Sequence, residues 1–216
     1  MKRLTIIVAI LALGIALVWA ADEAVKAPAG MAKLHGAPAV AEFPAMKVAS
    51  VMEKAADFVP EGGYAKGPDG MGQAYGKMME NGFGKLGKWM SDSKVQPVGP
   101  CLAIYYEDPM VTETAKLTTK VAFPVSGEVV AAEGITIEEI PAMPMAISLT
   151  FEGPYDNAMN AWDAVMKYGP EHGLEWAGPA MEVYLKGPMD TQNPQEYVTE
   201  IRVPVKKAEM KEANPK

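Results

Sequence analysis

The sequence predicts an α+β fold in which a βαββ unit is used twice. The two copies are related by a pseudo-twofold, with antiparallel sheets, helices on one face and a ligand cleft on the other. Three observations carry this. The first is an internal repeat: PAMKVASVMEKA from Pro44, a Gly-rich loop, an amphipathic stretch, GPCLAIYYEDP and TTKVAFPV are answered by PAMPMAISLTFEG from Pro141, GPY, an amphipathic stretch, GPAMEVYLKGP and VTEIRVPV. The second is that spacings repeat with the letters. Pro100 and Pro109 stand as far apart as Pro179 and Pro188, and Tyr105 and Tyr184 each follow the first proline of their pair by the same interval. The third is an apolar stripe at helical spacing between the first and second strands of each copy.

Taken in order, Met46 to Met52 is a β-capable run. A helix follows over about Gly72 to Met90, with Tyr75, Met78, Met79, Leu86 and Trp89 pointing inward. Its glycines (Gly76, Gly82, Gly84, Gly87) each weaken it by about 1 kcal/mol relative to alanine. The segments around Leu102–Tyr106 and Thr119–Val125 are strands, the second stopped by Pro124, which has no N–H for the ladder. In the second copy, Ala142 to Phe151 is a strand. Gly153-Pro154-Tyr155-Asp156 opens a helix with Asp156 or Asn157 near its cap. Met159, Trp162, Val165 and Met166 form its stripe, and Met181–Leu185 and Thr199–Val205 are strands, the last stopped by Pro204. The repeats span about 43–125 and 141–205 within a folded region of 42–205.

The flanks read differently. Met1-Lys2-Arg3, an uncharged apolar run from Leu4 to Val18 and Val18-Trp19-Ala20 have the layout of a secretory signal peptide cut after Ala20. An uncleaved membrane anchor is the alternative, and the only route to a membrane. In either case a periplasmic or otherwise exported location follows. Residues 21–41 are rich in Ala, Pro and Gly, hold no aromatic residue and read as a flexible spacer with a solvated His35. Residues 206–216 read as a charged, frayed tail.

Of 216 residues, 49% are hydrophobic and 22% charged, as in ordinary globular proteins. Lys+Arg number 20 against Asp+Glu 27, for a net charge of −7, and the only arginines are Arg3 and Arg202. That is not the basic footprint of a nucleic-acid binder. The single Cys101 excludes an internal disulfide and a cysteine-based zinc site. With two histidines, no metal site and no cofactor are expected, and the sequence carries no signal of oligomeric state.

Alternation singles out the chemistry. In Met181-Glu182-Val183-Tyr184-Leu185, Met181, Val183 and Leu185 share one face, expected to pack under the helices; Glu182 and Tyr184 share the other. In the matching strand, Leu102, Ile104 and Tyr106 lie opposite Ala103 and Tyr105. Around a twofold, one tyrosine from each copy converges with a single carboxylate, a combination suited to cations with flat apolar bodies. On residue type alone Glu182 also fits a solvated strand glutamate. Trp89 and Trp162 fit either core or ligand platform, Trp176 either the cleft rim or a loop staple, and Tyr155 either the pocket or the start of its helix. Met143, Met145 and Met159 could form an adaptable lining.

The motifs GP-x-x-E-V-Y-L-x-G-P, VTEI-x-VPV and F-x-GPY resemble the GyrI-like small-molecule-binding domain, the family of effector-binding domains of bacterial multidrug-sensing and AraC-type regulators and of the DNA gyrase inhibitory protein. The resemblance covers about 43–205. It implies an acidic residue at Glu182 in an aromatic pocket for lipophilic cations, with Tyr184, Tyr105, Tyr155, Trp89, Trp162 and Trp176 as further ligand-binding residues. With a signal peptide and no helix-turn-helix region in view, the cytoplasmic roles of the family are not expected. The reading is therefore a non-catalytic, exported binder of a small apolar or cationic aromatic molecule. Two alternatives stand: a hydrolase of reactive electrophiles using Glu182 as general base, which some GyrI-like proteins suggest, and a haem protein resembling the SOUL family, with His172 or His35 as ligand.

Overall fold

The computed structural model describes residues 30–208; the expected signal peptide, residues 21–29 and the tail beyond 208 lie outside the described residues. The chain enters along a sheet edge as β1 (Lys33–Leu34) and β2 (Ala39–Phe43). The first repeat is β3 (Met46–Lys54), α1 (Pro68–Ser93), β4 (Leu102–Tyr105) and β5 (Thr118–Pro124), and β6 (Thr136–Ile140) links it onward. The second repeat is β7 (Met143–Glu152), α2 (Met159–Glu171), β9 (Ala180–Lys186) and β10 (Val198–Lys207), with a short β8 (Leu174–Trp176) after the helix.

Among the described residues ten strands join one curled antiparallel sheet, a half-barrel, in the order β1-β7-β10-β9-β4-β5-β3-β6, with β2 also on β7 and β8 on β10. The repeats meet through β4 and β9. There Ala103 pairs with Glu182 and Tyr105 with Ala180, while Tyr184 N–H donates to the Cys101 carbonyl at 2.9 Å. Ala103 and Glu182 are also each other's repeat counterparts, so the pseudo-twofold passes through the sheet between them. The register expected from the sequence holds: Tyr105 and Tyr184 lie on the same face.

Which face the helices cover is a correction. Met79, Phe83, Leu86, Trp89 and Met90 of α1 pack on Ala49, Val51, Ala103, Val121 and Phe123. Ala158, Ala161 and Val165, at and within α2, pack on Ile147, Leu149, Phe151, Ala180, Ile201 and Val203. Met181 and Val183 are on the opposite face, with Val48, Leu102, Ile104, Ala122, Ile140, Met143 and Ala146, and Leu185 is exposed. The curl closes this face on itself around those apolar side chains, although Ser50 and the ion pairs Lys120–Glu138 and Arg202–Glu200 lie on it too. The face bearing Glu182 and the tyrosines is the one the helices cover, so the carboxylate and its rings lie beneath them.

Other boundaries also shift. Residues 30–41, expected to be a spacer, form β1 and the start of β2. A backbone ladder along β7 needs little side-chain mass, and Ala32, just before β1, is buried in the α2 core. Strand β10 runs through Pro204 to Lys207, because β8 pairs with it beyond that point. Neither Asp156 nor Asn157 caps α2: its N-cap is Ala158, with no side-chain bond. Helix α1 is longer than expected despite its glycines. A Cβ at Gly82 would stand 2.4 Å from Val121 Cγ2, so one of these glycines is what permits helix and sheet to touch.

Candidate functional site

Glu182 sits on the pseudo-twofold with only 8% of its surface exposed. Its Oε1 accepts from Trp162 Nε1 at 2.8 Å, and Oε2 accepts from Tyr105 OH at 2.8 Å and Tyr184 OH at 3.2 Å. The two phenol oxygens are 3.3 Å apart. The strand alternation of β4 and β9 aims both tyrosines at the helices, and the stripe of α2 delivers Trp162 from above. A buried carboxylate is costly unless hydrogen-bonded. Here both oxygens are bonded, but every donor is neutral.

The rings repeat the symmetry. Tyr105 lies edge-on between Tyr75 of α1 (centroids 5.2 Å) and Trp162 of α2 (6.2 Å). Tyr184 lies edge-on between Tyr155 (5.4 Å) and Phe83 of α1 (6.1 Å). Tyr155 also packs on Tyr197 at 5.1 Å. The glycine of the second GP pair, Gly187, lies close against this ring: a Cβ there would stand 3.2 Å from the Tyr155 hydroxyl. The symmetry is broken at two linked positions. Ala103 and Phe83 stand where the other copy has Glu182 and Trp162, so the single carboxylate and the indole that bonds it come as a pair.

Burial pushes the Glu182 carboxyl above its ordinary value, only partly offset by the bonds from Tyr105, Trp162 and Tyr184. Burial likewise raises Tyr105 and Tyr184 well above the ordinary phenol value, with the Glu182 charge adding to it, so both stay protonated donors. Tyr75 and Tyr155 are raised too, by burial first and then by neighbours including Glu182. The site therefore places one carboxyl group beside half-buried aromatic rings, an arrangement whose chemistry suits a cation or a flat apolar body.

Of the residues expected at the site, the structure brings together Glu182, Tyr184, Tyr105, Tyr155 and Trp162. Trp89 is instead 6% exposed in the core under α1, its N–H without a partner among the described residues, because its turn of α1 lies over Phe123 and Val125. Trp176 is 41% exposed on β8, paired with Val205 at the far end of β10. Met143 belongs to the opposite face, Met145 packs on the α2 core and Met159 is exposed. His35 is bonded to Glu152 at the sheet edge, and His172 stacks on Tyr168 just past α2. Cys101 is a neutral thiol, pushed by burial up to about 12. Among the described residues no group of His, Cys, Asp and Glu could hold a metal ion.

Three rings of the cluster escaped the sequence reading as site residues, Phe83, Tyr197 and Tyr75, the last expected only as an inward helix position, and so did Glu53 as a second buried carboxylate. Phe83 could have been found, since it stands in the repeat register of Trp162. Glu53 is bonded by Asn81 Nδ2 at 2.9 Å and Lys85 Nζ at 2.8 Å, both from α1. Its alternation with Val51 and Ala49 was the available signal.

The model of the GyrI-like small-molecule-binding domain matches residues 37–206. The chain belongs to the GyrI-like family. No curated protein matches this GyrI-like chain. Among solved structures it is similar to the EcmrR C-terminal domain, with a TM-score of 0.63, 21% identity and coverage of 79% of this chain and 98% of that one. EcmrR in a DNA complex gives a TM-score of 0.62 at 21% identity over 79% of this chain, which spans 57% of that chain's length. A hydrolase from Listeria innocua gives 0.51 at 13% identity, covering 79% and 92%. At these identities the likeness is one of fold.

Proposed function

We propose that this GyrI-like protein is an exported, non-catalytic binder of flat aromatic molecules, with lipophilic cations as its preferred class. One observation carries the reading: Glu182 is a buried carboxylate whose hydrogen bonds all come from neutral groups, on the axis of a ring cluster. A cation over those rings supplies the missing charge, while a neutral aromatic gains only contact with the rings. The test is calorimetric titration of wild type and Glu182→Gln with ethidium (cationic) and Nile red (neutral) at matched salt. Ethidium binding should weaken by about 1–3 kcal/mol, and Nile red much less. Equal losses for both dyes would reduce Glu182 to a shape-giving residue, and no loss for either would remove it from the site.

Export rests on the charged start, apolar run and small-residue cut site of residues 1–20. N-terminal sequencing of the protein from its own source should find Ala21 first. Met1 on a membrane-bound protein would support the anchor instead, and Met1 on a cytoplasmic protein would reopen a regulatory role.

A second reading, hydrolysis of a reactive electrophile, is favoured by one feature: two phenol donors beside the raised carboxyl could give a proton to a leaving oxygen while Glu182 takes one from water. Against it, both carboxylate oxygens are already engaged. Styrene oxide opened by wild type and not by Glu182→Gln would establish this reading; equal rates for both would end it.

A further inference from the structure

The two helices are fastened over the Glu182 ring cluster by repeat-related asparagines that use different partners. Asn81 and Asn160 occupy the same place in the repeat, each two residues before the ring, Phe83 or Trp162, that reaches a tyrosine of the cluster. Asn81 fastens α1 to the sheet through Glu53. The ladder shows what Asn160 would meet in its place. Glu53 pairs with Thr119 and Phe151 with the counterpart Thr199, so the second repeat offers a phenyl ring where the first offers a carboxylate. Asn160 turns instead to the N-terminal arm. Ala32 N–H donates to Asn160 Oδ1 at 3.0 Å, and Asn160 Nδ2 donates to the Ala32 carbonyl at 2.9 Å. Ala32 N–H also reaches the Asn157 carbonyl at 3.1 Å. Ala32 is 5% exposed among Phe151, Ala158 and Ala161, and the arm then runs along β7.

We propose that Asn160 is a positioning residue for the binding site, and that the N-terminal arm (30–43) is its anchor: together they hold α2 so that Trp162 reaches Glu182. The arm takes over in the second repeat the task Glu53 performs in the first. The demand is tighter in the second repeat, because Trp162 must place an N–H on a carboxylate oxygen at 2.8 Å whereas Phe83 has only to present a ring. A bond to a charged acceptor tolerates little misplacement.

This rests on Glu182 being the anchor of a cation site, and the two ideas fail differently. The experiment compares full-chain wild type, Trp162→Phe, Asn160→Ala, the double variant and Glu182→Gln by ethidium titration, thermal unfolding and near-ultraviolet circular dichroism. Asn160→Ala should weaken ethidium binding by about threefold to tenfold, diminish the dichroic band that Trp162→Phe abolishes, and add nothing to the loss already present in Trp162→Phe. An equal loss in both backgrounds, or a lower Tm with band and affinity intact, would make Asn160 merely structural and overturn the proposal. Ethidium binding that neither Glu182→Gln nor Trp162→Phe changes would overturn the cation-site reading itself. If Asn160→Ala does not fold, Asn160→Ser carries the same comparison, since it removes both amide bonds to Ala32 and keeps a polar helix surface.

Discussion

Three hydrogen bonds favour the ionised form of Glu182 while its burial pushes it more strongly toward protonation, and the balance sets a pH dependence with a definite sign. Its folded value lies above its unfolded one, burial being the main cause. The folded state therefore holds the proton more tightly. Stability of the ligand-free protein should fall as pH rises from the ordinary carboxylate value through the raised folded value, and level off beyond it. Glu182→Gln removes that fall, so its stability relative to wild type should climb across the same window. Urea unfolding of both proteins between about pH 4 and 8 checks this; parallel curves would mean that Glu182 titrates normally. On the proposed reading ethidium pairs with the ionised form, so its stabilisation of wild type should grow over the window in which free-protein stability declines. Glu182, Tyr184 and Tyr105 were legible because strand alternation and the repeat constrain them together. Trp89 and Trp176 misled because composition says that a tryptophan is buried or functional, not which. Only the phase of α1 and the pairing of β8 separate them from Trp162.

Helix α1 shows how far glycine content alone can mislead. Its glycines suggested a weak, shorter helix, yet it runs from Pro68 to Ser93. Propensity is overridden by packing on Val51, Val121 and Phe123. The glycines are not equivalent. Gly82→Ala would drive a methyl to 2.4 Å from Val121 Cγ2 and 3.2 Å from Glu53 Cγ, and should cost about 1–3 kcal/mol. Gly84 is exposed with open space around it, so Gly84→Ala should stabilise by about 0.5–1 kcal/mol. Chemical denaturation of the two variants reads both; a destabilising Gly84→Ala would mean that α1 needs flexibility at that turn. The strands and helices of both repeats were legible as elements. The arm at 30–43 was not, because an edge strand that pairs through its backbone leaves almost no hydrophobic pattern, and the choice of sheet face was not, because period-two alternation marks two faces without saying which one a helix will cover.

The whole molecule is a symmetric frame with one asymmetric charge. Two βαββ copies close a curled sheet, place a tyrosine from each copy beside the axis, and fill only one of the two axial positions with a carboxylate. A net charge of −7 adds a field that draws cations toward the surface. The most direct measurement is a crystal structure of the protein with ethidium. The dye is expected with its ring plane against Tyr105, Tyr184 or Trp162, its centre within about 6 Å of a ring centroid, and no protein cation between it and Glu182. Ethidium seated on the opposite face, among Leu102, Ile104, Met181 and Val183, or on the surface away from Glu182, would contradict the assignment of the site.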